Sequence, residues 1–116
     1  MQRTPLVALT DIVDAITRIE RYTAGLSRAT FVDHDLERDA VERCIEIISE
    51  ASRRLPDDLK AQYPSIPWSR IAAIGNVFRH EYDEVSPALV WEVVSLHLSP
   101  LKQAVEEMIR RTSPPG

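Results

Sequence analysis

Residues 35–56, DLERDAVERCIEIISEASRRLP, decide the fold. Leu36, Val41, Ile45, Ile48, Ala51 and Leu55 recur at helical rather than strand spacing, with charged residues between them. That pattern predicts an amphipathic helix that starts between Thr30 and Asp35, buries this stripe and ends at Pro56, which cannot continue it. Cys44, the only cysteine, sits among Val41, Ile45 and Ile48 and reads as a small buried hydrophobe; no intrachain disulfide is possible.

Toward the N-terminus, Leu6, Leu9, Val13, Ile16 and Ile19 follow Pro5 at three- and four-residue steps, predicting a helix that ends near Gly25. Toward the C-terminus, the breaker-rich RLPDDLKAQYPSIP reads as a loop. Pro67 then opens a third helix with Trp68, Ile71, Ile74 and Phe78, ending near Arg79 to Tyr82. Ser86 and Pro87 predict an N-cap and first helical residue. Leu89, Val93, Leu96, Leu101, Val105 and Met108 carry that fourth helix to about Arg111, with a kink at Pro100. Trp68 and Trp91 are expected to anchor the core.

Hairpin signals and strand-like alternation are almost absent, so the fold class is all-α, an up-and-down bundle of four or five helices. Residues 1–112 form one domain, and 113–116 a disordered tail. Ile12, Ile47, Val90 and Val94 exceed a narrow stripe and point to a homodimer interface as well as a core.

A chain of 116 residues supports one hydrophobic core. Apolar residues make up 44% and charged residues 28%, without an apolar run long enough to span a bilayer. The N-terminal MQRTPLVALTDIVDAI places Asp11 and Asp14 inside its apolar pattern and lacks a signal-peptide cleavage site; a cytoplasmic location is expected. The formal net charge of -4 lacks the broad basic footprint of an electrostatic nucleic-acid binder, so any RNA contact should be local. No glycine-rich phosphate loop, zinc cysteine pair or nucleophile elbow occurs, and His34 among Asp33, Asp35 and Glu37 reads as a helix start rather than a metal site. Neither a metal nor a cofactor is expected.

The chemistry-bearing stretch is Gly75 to Tyr82, GNVFRHEY. Histidine exchanges protons near neutrality, arginine offers phosphate a permanent planar fork, and a tyrosine hydroxyl can be modified. On a helix Asn76 and His80 share a face and Arg79 pairs with Asp83, whereas His80 and Tyr82 diverge by about 200° unless the helix unwinds near Glu81. The bland alternative is a solvated last turn whose cations answer the helix dipole. Arg53 and Arg54, like Arg110 and Arg111, read as dipole-compatible surface that could also touch a phosphate backbone, and His97 is expected to face solvent.

The segments LTDIVDAITRIERYT, FVDHDLERDAVERCIEIISEASRRLP, PSIPWSRIAAIGNVFRHEY and SPALVWEVV, in this order, resemble the HepT-like members of the HEPN superfamily over nearly the whole chain. Those are toxins paired with a nucleotidyltransferase antitoxin of the MntA type. The resemblance implies a dimer whose cleft binds RNA, and metal-independent endoribonuclease chemistry in a type VII-like toxin-antitoxin pair. It makes His80 the catalytic acid or base. Arg79, the nearest cation though about 100° around the helix from His80, is the candidate phosphate stabiliser, with Asn76 and Arg79 as RNA contacts. It makes Tyr82 the residue that the antitoxin silences by adenylylation. The family motif is an arginine, four residues, then histidine, any residue and tyrosine, and its arginine falls here on Gly75. That departure admits a second reading, a catalytically degenerate helical partner of a nucleotidyltransferase.

Overall fold

The computed structural model of the chain describes residues 5–80 and 86–112, with residues 77–80 as helical backbone without side chains. Its helices are α1 (Pro5–Thr23), α2 (Arg28–Phe31), α3 (Asp35–Arg53), α4 (Asp57–Ala61), α5 (Trp68–His80), α6 (Pro87–Glu92) and α7 (Leu98–Thr112). A π-helical turn, Val93–His97, joins α6 to α7 without a break. The described residues contain no strand, and the chain is all-helical as expected. No described helix is long and apolar enough to cross a membrane.

α3 is the central element. α1 packs along one side of it, α5 along another, and α7 closes on α1. Leu9, Ile12, Ile16, Ile19, Val41, Cys44, Val105 and Met108 are fully buried in the resulting core. Burial pushes the Cys44 thiol above its ordinary pKa, so it stays neutral and acts as packing. The chain leaves α1 through Gly25 at φ 80°, a left-handed conformation that glycine adopts without steric cost.

The expected second helix is α3, which starts at Asp35 within the expected window, and a separate short helix precedes it. Ser27 and Thr30 form a capping box that nucleates the separate turn α2, and Phe31 from this turn is fully buried with its ring 5.2 Å from that of Trp91. Leu36, expected in the buried stripe, is 82% exposed. The physical reason is phase: it precedes Val41 by five residues, which places it about 140° away around the helix. The RLPDDLKAQYPSIP segment, read as a loop, contains the short helix α4.

Ser86 caps α6 as expected, its side chain accepting a 3.1 Å bond from the Leu89 backbone N–H. The disturbance expected at Pro100 takes the form of the π turn just before it. Pro100 has no N–H for the Leu96 carbonyl and its ring crowds that carbonyl, so a widened turn there relieves both problems. The extra residue also resets the helical phase. Val90 before the turn aligns with Leu98, Leu101, Val105 and Met108 after it, all buried, whereas Leu89 and Leu96, expected inside, are exposed, Leu96 by 62%. Ile12 and Val90 are buried in this chain's own core, and Ile47 and Val94 pack against it while remaining partly exposed.

Candidate functional site

α5 is fixed at its start, where the Trp68 indole N–H reaches the backbone carbonyls of Lys60 (3.1 Å) and Tyr63 (3.2 Å). Pro67 stands immediately before the helix, its carbonyl accepting from the Arg70 and Ile71 N–H groups. Ile71 and Ile74 then pack against the core. Together these contacts orient a helix whose last described residue is His80.

The closest approach of α5 to α3 is polar. Ser49 and Gly75 are both buried. The Ser49 hydroxyl donates to the Ala72 carbonyl at 2.9 Å and accepts from the Gly75 N–H at 3.1 Å and, more weakly, from Arg53 Nη2 at 3.4 Å. Its single donor and both acceptor positions are thus used, which lets a hydroxyl sit inside the bundle without an unsatisfied group. A Cβ at position 75 would lie 2.6 Å from Ser49 Oγ and 2.9 Å from Ser49 Cβ. Glycine is therefore required by the helix crossing, and no side chain can leave α5 at that point while Ser49 faces it.

The sequence-expected residues follow from this anchor. Asn76, next to Gly75, is exposed on α5. His80 is four positions on, so the two share a helix face by register, and Arg79 has the same relation to Gly75. Tyr82, the expected adenylylation site, lies outside the described residues, as do Glu81, Asp83 and the 113–116 tail. His34 Nδ1 lies 2.6 Å from the Thr30 carbonyl, where it joins α2 to the start of α3. Among the described residues no cluster of three or more His, Cys, Asp or Glu side chains could hold a metal ion. His97 is exposed, at the rim of a cavity of about 270 Å³ that Ile45, Ile48, Ile71, Ile74, Val93 and Arg70 help to line.

The chain matches the family described as Ribonuclease HepT-like over residues 12–108. It belongs to that family. Among its curated relatives, the "Probable ribonuclease HepT" of Thermococcus cleftensis is 33% identical over 108 residues, covering 93% of this chain and 98% of the relative. The "Putative RNase MJ1380" of Methanocaldococcus jannaschii is 30% identical over 98 residues, covering 84% and 90% respectively. No solved structure matches the chain.

For a HepT-like chain the consequential feature that sequence reading passed over is the pair Ser49 and Gly75, whereas Arg53 is legible there only as surface that could touch a phosphate backbone. Their signal was present: a serine inside the apolar stripe of α3, and a glycine inside α5, each of which weakens a helix unless a close contact uses it. What the sequence did not give was the pairing of two positions 26 residues apart.

Proposed function

We propose that this chain is the toxin of a type VII-like toxin-antitoxin pair, a metal-independent endoribonuclease acting in the cytoplasm and silenced when an MntA-type nucleotidyltransferase adenylylates Tyr82. Membership of the HepT-like ribonuclease family over most of the chain is the observation that carries it. In this reading His80 removes the proton of an RNA 2′-hydroxyl, the 2′-oxygen bonds to the adjacent phosphorus, and the bond to the 5′-oxygen breaks as that oxygen takes a proton from the protonated His80 or from water. The products are a 2′,3′-cyclic phosphate and a 5′-hydroxyl end. Arg79 stabilises the phosphate charge, Asn76 contacts the RNA from the face it shares with His80, and a homodimer encloses the substrate. A nucleotide fixed at Tyr82, two residues from His80, would fill that cleft and repel the RNA backbone.

Two measurements on the whole protein test this. Purified wild type is expected to cut RNA from a panel of tRNA and mRNA, and His80→Ala to lose about 10²–10⁴-fold in rate. Coexpression with an MntA-type nucleotidyltransferase is expected to add adenylate masses that disappear in Tyr82→Phe. The close Ser49–Gly75 contact favours one alternative, a catalytically silent partner of the nucleotidyltransferase, because it excludes an arginine at position 75. Intact RNA with wild type, together with adenylate addition at Tyr82, would select that alternative.

A further inference from the structure

Cleavage through the 2′-hydroxyl builds negative charge on the nonbridging phosphate oxygens, and a fixed cation beside them accelerates the reaction. Five residues before His80, α5 carries Gly75, which supplies none. The space beside Gly75 is nevertheless cationic. Arg53, on the neighbouring helix α3, brings Nη2 to 3.3 Å from the point where a Cβ on Gly75 would stand. The same nitrogen lies 3.4 Å from Ser49 Oγ, itself tied to Ala72 and Gly75.

The guanidinium is thus tethered by one nitrogen, with most of its donors left for an anion. Its neighbours are already neutralised: Arg54 pairs with Asp11 at 3.0 Å and Lys60 with Asp57 at 3.7 Å. Arg53 is exposed and has no carboxylate within ion-pair distance among the described residues. From position 75 to position 80 an α-helix rises about 7.5 Å and turns about 140°, so the exposed Arg53 guanidinium has to reach along the edge of the α3–α5 contact to share a phosphate with His80.

Resting on the ribonuclease reading above, we propose that Arg53 is a second phosphate-binding cation of this site beside Arg79, delivered from α3 in place of a side chain at position 75. The serine that excludes an arginine from α5 also steadies the arginine that replaces it. An arginine fork held by the scaffold binds a phosphodiester bidentately, so lysine at position 53 should serve less well.

The experiment compares RNA cleavage by wild type, Arg53→Met, Arg53→Lys, Arg54→Ala and His80→Ala, each checked for its fold by circular dichroism. Arg53→Met keeps the apolar stem and removes the charge. It is expected to lower kcat by about 10²–10³-fold, with Arg53→Lys recovering part of the loss and Arg54→Ala matching wild type. Adding Ser49→Gly with Gly75→Arg to Arg53→Met moves the cation back to α5 and is expected to restore cleavage. Wild-type kcat in Arg53→Met beside an inactive His80→Ala would overturn the Arg53 assignment and leave the ribonuclease reading standing. Failure of wild type to cut any RNA would overturn both.

Discussion

The two sides of α3 are built from different forces. Where α3 meets α1 and the core, Val41 and Cys44 lie fully buried with Ile12, Ile16 and Ile19, and the contact is apolar apart from the exposed Arg54–Asp11 ion pair at the end of α3. Where α3 meets α5, Ser49 forms directed hydrogen bonds to Ala72 and Gly75, and Arg53 stands at the edge of the contact. Apolar burial is strong but non-directional, whereas a hydroxyl bonded to two backbone groups fixes one helix against another at a defined height. The first side holds the bundle together. The second sets the position of the helix that carries Asn76, Arg79 and His80.

Substitutions separate the two sides, beginning with the largest effect on stability. Ile16→Ala, a fully buried truncation on the apolar side, is expected to cost about 2–5 kcal/mol in urea unfolding. Gly75→Ala drives a methyl group into Ser49 and is expected to cost about 1–3 kcal/mol; adding Ser49→Gly should relieve most of it, and a double-mutant cycle measures the coupling. Costs that simply add would mean that the helices do not meet at these two residues. Leu36→Ser and Leu96→Ser, at exposed positions outside both contacts, are expected to stay within about 0.5 kcal/mol of wild type by thermal melting.

Much of this architecture was legible in the residues. Ser86 and Pro87 announced the start of α6, Pro56 marked the region where α3 ends, and the apolar spacing gave α1 and α3 nearly to their observed bounds. Leu36 was misplaced because a five-residue step falls out of helical phase. Leu89 and Leu96 were misplaced because the π turn before Pro100 shifts the register, which a constant period does not capture. For the site, Gly75 stood out as a departure from the family motif, but its cause did not. A tertiary contact between α3 and α5 decides that position, and nothing within α5 itself encodes it.

The end chemistry of cleaved RNA tests the central claim most directly. Wild type should release fragments with 2′,3′-cyclic phosphate and 5′-hydroxyl ends, undiminished by a metal chelator, and a 2′-deoxy substitution at the cut site should block the reaction. Cleavage that stops with the chelator, or that proceeds through the 2′-deoxy linkage, would contradict a histidine-driven attack by the 2′-hydroxyl at the end of α5.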